Sequence, residues 1–362
     1  MMKKVMYFRN QLFLLLVLAL GFTACESDDN KKPEYPSLKG EFVVCQGNFL
    51  KNNGAVAMYG DLATDNNIFK SVNDKDLGDI VQDFCIADTL GFVVVNNSQK
   101  VEVVRMRDFE SVKTISDLSY PRYVAQATDR TVYITNGNGL SEQDEVIEFD
   151  FVSMEIVDRI KVGKGPEMLV KTGNKMYVAN SGGHGVDNSV SVIDITNGEV
   201  VKTITTGYAG KTMKADKEGN LWVFCGGRVE YGPAPDYDKI QKDVPKLVKI
   251  DTKTDEVVTE IEYTGKVVGT DGSNLIAAAA KSNHIFFIAD GVYKMELDAT
   301  IFPTEKWVDN TYFGIDVDPN SGSVYLMDAV NSKVVVLNDE DATEIEALAD
   351  TKSFPHKVVF NR

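Results

Sequence analysis

The sequence predicts an all-β fold, a seven-bladed β-propeller with four-stranded blades, on three observations. A short apolar strand recurs seven times along the chain, in six cases ending in a polar residue. The recurrences are spaced at roughly 40–50 residues except across one long insertion, with no helical stripe between them, which is the period of propeller blades. A strand at the C-terminus has no blade after it, and the first blade lacks an innermost strand.

The repeating unit is clearest between Pro166 and Gly207. Pro166–Lys171 is turned by Thr172-Gly173-Asn174 into Met176–Asn180, a glycine-rich loop leads to Ser189–Asp194, and a turn at Asn197-Gly198 leads to Glu199–Ile204. Each run is short, β-branched or aromatic, and bounded by turn residues, so each reads as a strand and none as a globular helix. The equivalents of Met176–Asn180 are Phe42–Gln46, Phe92–Asn96, Val132–Asn136, Leu221–Cys225, Phe286–Asp290 and Val324–Asp328, with Cys225 the one apolar ending.

Innermost strands open on a loop residue followed by an apolar run, as at Pro121–Val124, Pro166–Val170 and Phe313–Val317. Phe354–Phe360 has the same form. Pairing it with the blade that starts at Glu41 closes the ring and hides two sheet edges that would otherwise stay exposed.

The series Tyr177-Val178-Ala179-Asn180, Ser189–Asp194, Val201–Ile204 and Gly207 resembles the repeat of the YncE-like (YVTN) seven-bladed propellers. Thr131–Gly163 and Asn220–Gly265 are looser copies, and the resemblance covers nearly everything after residue 40. It implies the fold and leaves the activity open, because propellers host many.

Residues 1–24 read as a signal peptide. Lys3, Lys4 and Arg9 precede the apolar run Leu12–Leu20, which is well short of the ~20 residues that span a bilayer. Phe22-Thr23-Ala24-Cys25 resembles a bacterial lipobox, with Phe22 where that motif usually has Leu, and implies lipidation of Cys25; ordinary secretion with cleavage nearby is the alternative. The tract Glu26–Asn30 resembles the surface-export signal of Bacteroidota lipoproteins, and its plainer reading is a solvated spacer. Residues 25–39 are then a lipidated acidic tether, and 40–362 the propeller.

The chain has 38 basic and 54 acidic side chains, a formal charge of −16. That balance disfavours nucleic acid, whose binding needs a basic footprint, and suits solubility outside the cell. Cys45, Cys85 and Cys225 sit in apolar strand contexts and read as buried free thiols, with a Cys45–Cys85 disulfide as the alternative. Three histidines, His184, His284 and His356, have no metal-ligand spacing. Asp316-Val317-Asp318 falls at an innermost hairpin turn, and Asp150, Asp194, Asp251 and Asn338 end third strands; all read as backbone caps and not as metal ligands. No nucleophile elbow, phosphate loop or dinucleotide fingerprint stands in a strand–helix context, so neither a metal, a cofactor nor catalysis is expected.

Strand alternation sorts the loops onto two faces. The loops between first and second strands, and between third and fourth, are minimal turns. The opposite face carries Gly47–Asn53, Asn136–Gly139, Ser181–Gly185 and the long insertion Gly226–Val244 with Tyr237, together with the loops between blades. Long loops on a rigid scaffold are where function sits. Aromatics, glycines and amides there suit a ligand with a flat apolar face and polar edges. The candidate contacts are Tyr120, Arg122, His184, Tyr208, Arg228, Tyr231, Tyr312 and His356; the bland reading of each aromatic is a plug between blades.

The anchor, the acidic tract, the seven blades and this face together resemble the BtuG group of Bacteroidota surface lipoproteins. The resemblance implies capture of cobalamin, a ligand and not a cofactor, for delivery to a TonB-dependent outer-membrane transporter. It also implies a lipid-anchored protein of the outer membrane facing the cell exterior. A propeller binding a protein or a glycan is the second expectation, and a lactonase-like enzyme the third.

Overall fold

The recurring strands are continuously apolar because both of their faces are covered. Thr131–Asn136, Lys175–Asn180 and Leu221–Cys225 are buried along nearly their whole length. Each has two antiparallel partners within its own sheet, and the adjoining blades pack on its two faces. The structure is a computed structural model that describes residues 38–60, 64–140, 144–233, 238–265, 274–278, 283–348 and 350–362. The signal peptide, Cys25, the acidic tract and Tyr237 lie outside the described residues.

Seven antiparallel sheets form the seven blades, numbered here in chain order. A typical one runs from the innermost strand outward as Pro121–Gln126, Thr131–Asn136, Glu145–Asp150 and Glu155–Lys161. Six blades have four strands. Blade six has three among the described residues, and Val308 bridges to Val292 where a fourth strand would run. The insertion in blade five folds as a hairpin of its own, Val229–Tyr231 with Lys239–Gln241. One short helix, Ile68–Asn73, follows the outermost strand of blade one.

The ring closes as the sequence predicts. Pro355–Asn361 is the innermost strand of blade one and pairs with Gly40–Cys45, Val43 opposite Val358 and Glu41 opposite Phe360. The hydrophobic clusters lie between blades and not within one. Phe42 of blade one stacks on Phe109 at 5.8 Å and meets Phe84 of blade two at 5.6 Å. Tyr325 and Met327 of blade seven share a cluster with Val43, Cys45 and Val358 of blade one. No blade therefore has a complete core by itself.

The turns behave as their residues require. Asp150 accepts from the N–H groups of Val152 and Ser153, Asp194 from Thr196, Asp251 from Lys253 and Asn338 from Glu340, all within 2.7–2.9 Å. Gly198 supplies the left-handed residue (φ 70°) of its hairpin. Asp316 departs from the expected role of turn cap. It lies within the innermost strand Gly314–Val317 of blade seven, accepts from the Val358 N–H of blade one at 2.9 Å and faces Lys214 of blade five at 3.4 Å. Asp318 caps the turn instead, through the N–H of Asn320 at 2.8 Å. Asp83 repeats the Asp316 arrangement between blades two and three, with Val124 N–H at 2.9 Å and Lys357 of blade one at 2.5 Å.

The three described cysteines are free, so the Cys45–Cys85 disulfide does not form. Burial pushes the Cys45 thiol up to about 12 and those of Cys85 and Cys225 up to about 11. They are small hydrophobes, not nucleophiles.

Candidate functional site

The polar residue that ends each recurring strand has a positional task. Asn136 accepts from the N–H groups of Ser119 and Tyr120 at 3.0 and 2.8 Å, which fixes the loop that carries Tyr120. The equivalent Asn96 donates to the Pro121 carbonyl at 2.8 Å. Asn136 thus holds the loop that enters its own blade, and Asn96 the start of the blade after its own.

Arg122 is a brace across three blades. It reaches Glu167 of blade four at 2.9 Å and Gln82 of blade two at 2.8 Å, and lies over Tyr120 at 5.5 Å. Burial is the largest single effect and works against its charge, but Glu167 together with Tyr123 and Tyr120 outweighs it and holds the guanidinium above its ordinary range. His184 completes the group, its ring 6.1 Å from that of Tyr120. Its loop is locked to blade three, since the His184 N–H donates to the Asn138 carbonyl at 2.8 Å. The glycines of both loops are required here: a side chain on Gly139 would run into the Gly182 carbonyl, and one on Gly183 into that of Asn138.

Tyr208 and Arg228 form the second group, in blade five. The Arg228 guanidinium lies over the Tyr208 ring at 4.4 Å. Asp243 holds it in a two-point grip, Nε to Oδ2 at 2.6 Å and Nη2 to Oδ1 at 3.1 Å. The Asp243 hydrogen bonds raise the Arg228 pKa, and reciprocally lower that of Asp243. Both groups are partly exposed, so water screens the pair and its value lies in orientation. Tyr231 stands next to it on the hairpin, 64% exposed.

A cavity of about 330 Å³ opens between the two groups. Phe224 and Leu275, both buried, give it apolar wall; Gly183, Gly185, Gly226 and Gly227 give it backbone; Asp187, Lys211, Arg228, Glu230 and Tyr231 give it polar and aromatic edges. Six of the predicted residues thus fall on one side of the disc in two neighbouring groups, of which Arg228 and Tyr231 line the cavity.

The other two lie outside these two groups. Tyr312 is half-buried against the core of blades five to seven, and burial raises its phenol pKa. His356 is not on a loop; it belongs to the closing strand, is 0% exposed, and sits with Nε2 3.1 Å from the Val81 carbonyl. Pro355 beside it is the first residue of an innermost strand, as Pro121 and Pro166 are of theirs. Sequence reasoning missed Asp243, Asp187, Phe224 and Leu275. Only Asp243 had a signal, its place in the insertion with Arg228, and the hairpin register that joins them cannot be read from residue types.

The family described as a domain of unknown function, DUF5074, matches residues 39–361. No curated protein matches the chain in sequence at a significant level. Similar solved structures include Kuenenia stuttgartiensis hydrazine synthase, 18% identical over 76% of this chain and 88% of that one, with a TM-score of 0.55. A quinonprotein alcohol dehydrogenase-like protein from Bacteroides thetaiotaomicron is 14% identical over 90% and 78%, with a TM-score of 0.64. BamB from Moraxella catarrhalis is 12% identical over 88% and 85%, with a TM-score of 0.56. At such identities the likeness is one of fold.

Proposed function

We propose, for a seven-bladed propeller that belongs to the DUF5074 family, that the face bearing Arg228 and Tyr231 captures a ligand with a broad apolar surface and polar edges, a corrinoid such as cobalamin. The observation that carries this is the cavity of about 330 Å³ with its apolar wall, glycine backbone and fixed guanidinium. It is too small to enclose a corrin. The macrocycle would lie across the loops, one edge in the cavity, with Tyr231 against its face and loop amides bonding its side arms. Capture and not turnover is the favoured role because Arg228, the cavity's fixed cation, is already committed to Asp243. Titration calorimetry of the full-length protein in detergent with cobalamin tests this. Arg228→Ala or Tyr231→Ala should weaken binding by ~2 kcal/mol if either is a central contact, about 30-fold in Kd, and Tyr312→Ala should not. No heat at micromolar protein would overturn the corrinoid and leave a protein or glycan ligand.

The place we propose for this capture is the outer surface of the outer membrane, with delivery to a TonB-dependent transporter. The lipobox-like Phe22–Cys25 and the acidic Glu26–Asn30 support it. Cys25→Ala should release the protein from the membrane fraction, and unchanged partitioning would refute the anchor.

A further inference from the structure

We propose a second binding site on the same face, at blade one, for an acidic oligosaccharide. A cleft of about 620 Å³, within the range of small-ligand sites, lies where the loop Lys51–Asn53, the segment Asn66–Ser71 and the pair Lys352-Ser353 converge. It shares no residue with the blade-five cavity. Its chemistry is the reverse of the whole chain's. Three lysines meet one carboxylate there, whereas the chain has 38 basic to 54 acidic residues. Asp76 takes only Lys70, at 2.9 Å, so among the described residues Lys51 and Lys352 have no ion pair.

The remaining lining is amide and hydroxyl: Asn52, Asn53, Asn66, Asn67, Ser71 and Ser353. An amide offers two donors and an acceptor, which matches neighbouring sugar hydroxyls, and two free ammonium groups match uronate carboxylates. Apolar side chains flank the cleft in sequence. Phe49 and Leu50, 65% and 69% exposed, precede Lys51, and Phe354, 37% exposed, follows Ser353. Aromatic rings of this kind cover the apolar face of a pyranose. The backbone beside the cleft is held in a constrained form, and the Phe354 ring packs on that of Phe313 at 5.9 Å. Leu50, Asn52 and Phe354 all hold positive φ (62°, 51° and 57°), a conformation that costs a side-chain-bearing residue free energy and that surrounding contacts must enforce. The Leu50 N–H bond to Asp79 at 2.8 Å and the Gln46 N–H bond to the Phe354 carbonyl at 2.9 Å do so.

The test is calorimetry of the full-length protein with a galacturonic acid trimer, the matched neutral galactose trimer and inorganic phosphate. The uronate should bind in the micromolar-to-millimolar range, at least about tenfold more tightly than the neutral trimer, and phosphate should not displace it. The double variant Lys51→Ala/Lys352→Ala should lose about tenfold in affinity and melt like the parent, as neither side chain holds an ion pair. Asn52→Ala/Asn66→Ala gives a second, charge-neutral reading of the same loss, while Arg228→Ala should leave uronate binding intact. Equal binding of the neutral trimer, displacement by phosphate, undiminished binding by the variants, or no heat at about 1 mM uronate each overturns the proposal.

Discussion

A chain cut before Ser353 should fail to fold cooperatively. The lost segment supplies the innermost strand of blade one, paired along Gly40–Cys45, and its removal bares the inner edge of that strand. It also removes Val358, which is buried, and the partly buried Val359 and Phe360. Burial of each such side chain contributes up to ~1.5–3 kcal/mol, so the loss rivals the ~5–15 kcal/mol margin of a folded domain. Polar losses add to this. Asp83 is 2% exposed on its side chain and would lose Lys357, and Asp316 would lose the Val358 N–H. Thermal unfolding followed by circular dichroism checks it. A truncated protein that melts like the parent would mean that blade one does not need the strand.

Acid should weaken the folded state from about pH 6.5 downward, and His356 should carry a distinct part of that loss. Burial drives its pKa from 6.5 to about 3, with the nearby charges of Lys357 and Arg122 adding to the effect and the Val81 carbonyl opposing it. The ring is therefore neutral when folded and takes up a proton when unfolded throughout the window between those values. Where the unfolded state binds more protons, stability rises with pH, so it falls as pH drops from about 6.5 toward 3. One proton corresponds to a slope of ~1.4 kcal/mol per pH unit, several kcal/mol across the window. Asp290 acts lower down. Hydrogen bonds from Tyr263, then Tyr293 and Lys306, hold its carboxyl at about 2, so its contribution is present above its ordinary 3.8 and is lost as pH falls from there through 2. Urea unfolding at a series of pH values, for the parent and for His356→Gln, separates the two. Glutamine retains an N–H for Val81 and does not titrate, so the variant should show a shallower slope between pH 6 and 4 by up to one proton. Equal slopes would show that His356 is not the buried, neutral group described.

What could be read from the chain alone follows the range over which each feature is determined. The seven strands were legible because burial on both faces leaves runs such as Val93–Val95 and Val132–Ile134 with no polar residue. Closure was legible because Phe354–Phe360 has the pattern of Pro166–Val170 while the blade that starts at Glu41 lacks an innermost strand of its own. The loop faces were legible through strand direction, and six of the candidate residues come together in two groups. The roles within that side were not. Whether Arg122 binds a ligand or braces blades depends on Gln82 and Glu167, each at least forty residues away. Asp316 looked like a turn residue because its partners, Lys214 and Val358, come from two other blades. From the sequence His356 reads as a ligand contact, although its burial follows from the closing strand already identified.

The strand pair that seals the ring joins residues more than three hundred positions apart. Equilibrium tolerates this, since each doubling of loop length adds only ~0.6 kcal/mol of closure entropy. The consequence lies in the order of events during synthesis. Gly40–Cys45 leaves the ribosome before the strands of blades two to seven, and its inner partner Pro355–Asn361 leaves after them. Blades two to seven can each assemble from contiguous chain, while the first waits with an unpaired apolar edge until Pro355–Asn361 arrives. Until then Gly40–Cys45 is a stretch of the chain in need of protection from pairing with a stranger.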